Sequence, residues 1–554
     1  MSPEGVLGVD ISSGKMVRLL WAAAASLWLA LMGLPSASLA ASKAASQFRK
    51  EADALFTNGI LLRLVLEIPE SGMKSLRGDA RTYVPAVLHD GNTTYSNVGV
   101  HLKGAAGSFR RVDDQPGLTL NFNYLEPDSP RFHGLKKIHL NNSVQDPSRL
   151  SELVAGQMFR EAGVPAARAA PALVELNGRK LGLYVIMESM NKDFLAQYFK
   201  NAKGNLYGQS RRGDITDNLE RMEGDAPLTR EDLAALGAAV REEDPKVRLE
   251  RMQKTLDLDR YLSFMALESI LGHWDGYTVA CHNYRLYQDV DTGRMVFFPH
   301  DLDQLMIKQN VGLVPRANGL VAQAVLNTPE LRSRYQQRVC SLATNLFMGP
   351  RWPARVEQAV STLLPALESY DAQIAGAFTN AAANFKARFS SRGRQLERQI
   401  AILSGTSKPL AFSNNLARLT EWQAESWQNT TRLERIKTDD GKQTLWISTP
   451  SPTMASWRSQ VLLEPGRYRF EGMAGCAGVE ATFRRRGSGA GLTVPNYRRA
   501  SSTMLSGDSP WQKLTCEFEV AAAEDVELAC ELGASKGQVW FDEATLQLVR
   551  LSKP

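Results

Sequence analysis

Cysteine is scarce in this chain: five among 554 residues, at positions 281, 340, 476, 516 and 530, with no Cys-x-x-Cys spacing. That leaves no basis for a thiolate zinc site, and the odd count leaves one thiol over if the others pair. Cys516 and Cys530 lie in two strand-like runs and fit either a cross-sheet disulfide or two small buried thiols. No Gly-x-Ser-x-Gly elbow occurs, so nucleophilic hydrolase chemistry has no support. Paired acids for glycoside hydrolysis have no identifying spacing either. A strong charge of one sign is also missing: 65 Lys and Arg stand against 59 Asp and Glu, and no basic run is interleaved with aromatics to track a phosphate backbone. Nucleic acid is thereby set aside as a partner. After the N-terminal region no apolar stretch reaches membrane-spanning length, so no span is expected in the mature chain.

What is present points to an exported protein of two domains. At 554 residues the chain exceeds one ordinary core, and 44% hydrophobic residues with ten Trp are enough to fill two. Residues 1–40 read as a secretory signal peptide: Lys15 and Arg18 precede an apolar run to Leu34, and Pro35, Ala37, Ser38 and Ala40 supply a small-residue end. An uncleaved anchor is the alternative, Met16 is an alternative start, and no Cys stands at the cleavage point to carry a lipid. The expected location is the periplasm, the cell envelope or the medium.

Short runs of β-branched and aromatic residues at Leu61–Pro69, Tyr83–His89, Ser96–Gly104 and Leu118–Tyr124 predict antiparallel strands. Asp146–Pro147–Ser148 predicts a helix start, with Leu150, Leu153, Val154, Met158 and Phe159 at near-helical spacing before Gly163–Val164–Pro165 ends it. Asn177–Gly178 between Ala172–Leu176 and Leu181–Met187 predicts a hairpin. The polar segment Gly208–Asp225 reads as an exposed loop, followed by helices at Arg230–Arg241 and Leu258–Leu271 and largely helical sequence from Leu320 to Leu403. After Gly405 the texture changes to short strands separated by Pro, Gly, Asp and Ser, which predicts a β-sandwich over residues 405–554.

The chemistry concentrates in His273–Trp274–Asp275–Gly276–Tyr277, His282–Asn283–Tyr284–Arg285–Leu286–Tyr287 and Phe297–Phe298–Pro299–His300–Asp301–Leu302–Asp303, with a hairpin turn at Asp291–Thr292–Gly293. Three carboxylates and an amide in that order form an oxygen-donor set suited to a hard cation on nucleotide phosphates. Taken singly, such Asp and Asn residues also cap turns. Together they resemble the signature of the CotH kinase family, in which an Asp after a helix, an Asn-Tyr-x-x-Tyr strand and a Pro-Trp-Asp-x-Asp turn follow in order. Four further segments are similar to the family in order and spacing: Val98–Gly104, Phe132–Asn142, Asp146–Pro165 and Gly182–Glu188. The resemblance covers roughly residues 55–400.

It implies a divergent protein-kinase-like α+β domain over residues 41–404, using ATP with Mg²⁺ or Mn²⁺ to phosphorylate a protein Ser or Thr. Lys103 would neutralise the nucleotide phosphates, Glu152 would orient that lysine, and Glu188 would lie at the nucleotide. Asp275 would orient the acceptor hydroxyl, and Asn283, Asp301 and Asp303 would hold metal. Two departures stand out: His300 replaces the family's Trp, and no Gly-x-Gly-x-x-Gly loop covers the phosphates, although the family does not lead one to expect that loop. His273 and His300 stand in no His-x-x-x-His spacing, which argues against a transition metal.

The phrases Leu463–Phe470 and Val539–Asp542 resemble a galactose-binding-like jelly roll, the fold of many carbohydrate-binding modules. Trp446, Trp457, Trp511, Trp540 and Phe541 are candidate sugar-stacking planes or sandwich core, and Arg484–Arg485–Arg486 with Tyr497–Arg498–Arg499 are candidate contacts to acidic glycans. Cell-surface polysaccharide is therefore a second expected partner. Export sets a difficulty for an ATP-dependent enzyme, and the competing expectation is a non-catalytic envelope or extracellular scaffold with a glycan-binding sandwich.

Overall fold

The computed structural model describes residues 44–552 except 58, 60, 106, 127–128, 209–210, 308–311, 427–429, 439–440, 482–487, 496, 498–499, 501 and 522. The expected signal peptide of residues 1–40, Arg484–Arg485–Arg486 and Arg498–Arg499 lie outside the described residues. Two compact units emerge: residues up to Ile307 with Pro315–Phe389, and Lys308–Val314 with Ser390–Pro554. The division falls after Phe389, inside a long helix, whereas the change of sequence texture comes at Gly405.

In the first unit, helix α1 (residues 44–57) precedes β1 (Leu62–Glu67), and helix α2 (Glu70–Gly78) leads into β2 (Val84–Asp90), β3 (Thr93–Lys103), β4 (Gly117–Asn121) and β5 (Lys137–Asn141). Helix α3 (Ser151–Glu161) separates these from the hairpin of β6 (Ala169–Leu176) and β7 (Arg179–Glu188). The seven strands close into a barrel in the order β1-β2-β3-β4-β5-β7-β6. Period-two alternation fills it: Val84, Ala86 and Leu88, then Leu118, Leu120, Ile138 and Leu140, are all buried in one apolar cluster. The interior is a packed core. The pairs are antiparallel as expected except at the seam, where Leu62–Leu66 lie parallel to Ala172–Leu176. Asn177 (φ 48°) and Gly178 (φ 76°) adopt the left-handed conformation that a two-residue hairpin requires. Ahead of α3, both Asp146 carboxylate oxygens accept bonds from backbone N–H groups, of Ser148 and Ser151, at 3.1 and 3.0 Å.

Past β7 the chain is mainly helical around a four-stranded sheet. The elements are α4 (Lys192–Tyr198), β8 (Leu206–Gly208), β9 (Glu220–Glu223), α5 (Glu231–Arg241), α6 (Pro245–Thr255), α7 (Leu258–Ile270), α8 (Tyr277–Ala280), β10 (Tyr284–Asp289) and β11 (Arg294–Pro299). The helices α9 (Leu320–Asn327), α10 (Pro329–Leu342), α11 (Arg351–Tyr370) and α12 (Ala372–Leu403) follow. The sheet order is β11-β10-β8-β9. Strand β9 corrects the reading of Gly208–Asp225 as loop throughout; with three of its four residues exposed it carries no apolar alternation to reveal it. Helix α7 is buried on every side, and Tyr261 and Phe264 pack on Phe297 of β11 with centroids 4.8 and 5.6 Å apart.

Beyond the end of α12, the second unit is built of antiparallel β-strands. Its strands are β12 (Leu416–Arg418), β13 (Gln423–Ser426), β14 (Arg432–Lys437), β15 (Gln443–Thr449), β16 (Thr453–Leu463), β17 (Gly466–Ala481), β18 (Gly489–Thr493), β19 (Gly507–Val520), β20 (Glu524–Asp542) and β21 (Gln547–Ser552). Strand β20 is long enough to pair with β16 and β18 through its first half and with β15 and β17 through its second. Cys516 on β19 faces Phe470 and Cys530 on β20 faces Trp457, so the two are not cross-strand partners, and both are free thiols. Trp457 and Phe541 belong to the core, while Trp446, Trp511 and Trp540 are only partly buried.

Candidate functional site

Lys103 is the last residue of β3, opposite Gly117 on β4, where a Cβ would come within 3.2 Å of the lysine Cγ. The missing side chain gives the lysine stem its room. Its ammonium donates to Asn141 Oδ1 at the end of β5, and Asn141 Nδ2 donates to Glu152 Oε1 at 3.4 Å, so an amide stands between the lysine and its predicted helix partner. Burial lowers the Lys103 pKa, and the carboxylates of Asp301, Glu152 and Asp303 act against that. Glu152, in the first turn of α3, is pushed up to about 8 by burial and by Asp301, although Lys103 and the Leu302 N–H favour its charged form. Asp303 is pushed up to about 9 by burial and by Asp301 and Glu152. Groups from positions 103, 152, 301 and 303 thus interact in one cluster, Glu152 and Asp303 buried and Lys103 and Asp301 partly so.

The β10–β11 hairpin supplies the other end of the site. Tyr284 pairs with Pro299, which brings Asn283 beside His300, and the His300 N–H donates to the Asn283 carbonyl at 3.0 Å. Asn283 (φ 47°) and Asp301 (φ 55°) both hold left-handed backbone, a strain that Asn and Asp tolerate better than other residues and that clusters at working sites. Asn283 Nδ2 donates to Asp275 Oδ2 at 3.2 Å, His282 Nδ1 lies 3.3 Å from the same oxygen, and Arg212 binds Asp275 Oδ1 at 2.7 Å. The loop bearing Asp275 is tied to α7 by Glu268, a buried carboxylate that accepts from the Tyr277 and Thr278 N–H groups at 2.8 and 2.9 Å.

A cavity of about 440 Å³ opens against this cluster, within the range of small-ligand sites. Lys103, Glu152, Glu188 and Asp301 line it; Asp275, Asn283 and Asp303 do not. The Glu188 carboxylate is already engaged, by Arg168 at 2.9 and 2.6 Å and by Gln197 at 2.6 Å, so what it offers the cavity is the exit of β7. One wall is a row in register across the barrel: His101, Thr119, His139 and Met187. Burial and the neighbouring cations hold His139 and His300 well below the usual imidazole range. Asn141, Glu268, Arg212 and Arg285 were not singled out from sequence. Asn141 lies inside the family-like segment Phe132–Asn142 and Arg285 inside His282–Tyr287, though neither carries a role there; Glu268 and Arg212 become relevant only through contacts that link distant parts of the chain.

Among the described residues no group of three or more His, Cys, Asp or Glu makes a ready metal cage. Among the described residues no helix is long and apolar enough to cross a membrane.

Residues 100–396 match the family described as CotH kinase protein. The chain is 27% identical to the inner spore coat protein H of Bacillus subtilis over 305 residues, covering 50% of this chain and 80% of that protein. It is 20% identical to the invasin CotH3 of Rhizopus delemar over 229 residues, covering 38% of this chain and 37% of that one. Among solved structures, the proinflammatory kinase CtkA of Helicobacter pylori aligns at 10% identity and TM-score 0.22, over 54% of this chain and 96% of that one. The module TmCBM61, solved with β-1,4-galactotriose, aligns at 15% identity and TM-score 0.17, over 26% and 99%. Scores this low assign no fold. The family match spans more than half of the sequence, and the chain belongs to the CotH kinase protein family.

Proposed function

We propose that the protein is an exported, atypical kinase that transfers the γ-phosphoryl group of ATP to a protein Ser or Thr. The observation that carries this reading is the convergence of Lys103, Glu152, Asp301 and Asp303 from a strand end, a helix and a strand exit into one partly buried cluster at a cavity of nucleotide size. In it, Lys103 meets the nucleotide phosphates, with Asn141 and Glu152 fixing its ammonium. Asp301, Asp303 and the Asn283 side-chain oxygen Oδ1 are the candidate ligands of Mg²⁺ or Mn²⁺, which would neutralise charge on the phosphates. Asp275, held by Asn283 and His282, orients the acceptor hydroxyl. The C-terminal unit is read as a jelly-roll module that binds cell-surface polysaccharide, with Trp446, Trp511 and Trp540 as the aromatics left for stacking.

A second reading, a non-catalytic envelope scaffold, draws on the ion pair of Arg212 with Asp275, which occupies one oxygen of the proposed hydroxyl-orienting carboxylate. Labelled ATP separates the two. Wild type should transfer label to protein in the presence of Mg²⁺ or Mn²⁺, and Asp301→Ala and Asp275→Ala should each lose about a hundredfold or more. A saturating Mg-nucleotide should also raise the melting temperature, since a hundredfold excess over Kd stabilises the folded state by about 2.7 kcal/mol. No shift with any metal and nucleotide, together with a shift on glycans, would leave the scaffold.

A further inference from the structure

Arg285 follows Asn283–Tyr284 on β10 and lines the cavity together with Lys103 and Asp301. Its stem crosses β8 at Gly208, where a Cβ would stand 3.0 Å from both the arginine Cδ and Nε. The guanidinium is held at two points: one nitrogen donates to the Tyr284 carbonyl at 2.9 Å, and the other lies 3.0 Å from His300 Nε2. A guanidinium has only donors, so the imidazole nitrogen that faces it is the acceptor. Among the described residues Arg285 forms no ion pair: Asp301 attracts it from beyond salt-bridge distance, and Lys103, itself a cation, feels its repulsion. Two cations turned into one cavity, one of them without a carboxylate in reach, ask for an anion.

We infer that Arg285, positioned by His300, contacts the phosphates of the bound nucleotide, serving where no glycine-rich loop covers them. The inference rests on the proposed nucleotide site. It also gives His300 a role that the family's Trp lacks, because an indole N–H donates and cannot accept from a guanidinium. Arg285 is then a contact residue and His300 a positioning residue.

The test is calorimetric titration of the full chain with Mg-ATP and, separately, with adenosine. Arg285→Gln should weaken Mg-ATP about tenfold or more, the effect of losing a charge-assisted bond, while adenosine affinity stays within about threefold. His300→Trp should reproduce that loss, and His300→Gln, which keeps an acceptor, should restore most of it. Ligand-free melting temperatures check each fold, and if Arg285→Gln does not fold, His300→Trp against His300→Gln carries the comparison with Arg285 in place. Wild type that binds neither ligand overturns the nucleotide reading and this inference with it. Wild type that prefers ATP, with variants of unchanged preference or an equal loss for both ligands, overturns the role of Arg285 alone.

Discussion

A Cβ at position 276 would lie 2.1 Å from Glu268 Oε1 and 2.6 Å from His273 Nδ1. Neither atom can withdraw easily, because Glu268 is bonded to the backbone N–H groups of Tyr277 and Thr278 and both side chains are buried. Gly276→Ala is therefore expected to destabilise the fold by about 1–3 kcal/mol through overpacking and to displace Asp275. Denaturant unfolding measures the first effect, and, on the proposed kinase reading, a fall in phosphoryl transfer beyond that of equally destabilised controls measures the second. The same residues show how far a sequence can be read at this scale. Asp275, Asn283 and Asp301 stand out in the sequence because their order resembles the family signature, and the structure brings Asn283 against Asp275. Glu268 sits inside an apolar helix and gains meaning only when the loop after it folds back. Arg285 gains meaning only when β11 brings His300 alongside.

At the scale of elements, Glu471 is the buried anchor of β17, accepting from Arg469, Lys513 on β19 and Gln547 on β21 at 2.8, 3.0 and 2.9 Å. Burial alone would raise its pKa, but those three hydrogen bonds outweigh it and hold the carboxyl below its ordinary value. The sign follows from linkage. With the folded pKa depressed, the contribution is complete above the unfolded glutamate value of about 4.3 and is lost as pH falls through the folded one. Melting of the second unit should accordingly weaken as pH drops below about 4.3, and Glu471→Gln should flatten that dependence. An unchanged slope would mean that other carboxylates dominate. Elements were legible where local chemistry decides them, as at the Asn177–Gly178 hairpin, whereas the helix expected to start at Asp146–Ser148 begins only at Ser151, with Leu150 at its N-cap and Asp146 bonded in the turn before it. Helix α2 and strand β9 escaped because their exposed polar residues mask the period, and the parallel seam of β1 with β6 joins segments more than 100 residues apart.

For the whole molecule, the boundary between units is a measurable quantity. Residues 390–403, the end of α12, belong with the second unit, and Gln399 Oε1 accepts from the Leu313 N–H of that same unit at 2.6 Å. A fragment of residues 390–554 should melt at higher temperature than one of residues 405–554; equal melting would return the boundary to the change in texture at Gly405. The first unit carries a different consequence. A sheet wrapped into a closed cylinder has no unpaired backbone rim, so the seven-stranded body offers no template on which an extended peptide could add as a further strand. In the four-stranded sheet, β11 is already met by a parallel bridge from Leu256 to Met295, and β9 forms the opposite margin with the sequence Glu-Arg-Met-Glu. Charged side chains of that kind discourage indiscriminate strand pairing, so β9 is an open but guarded margin of this sheet.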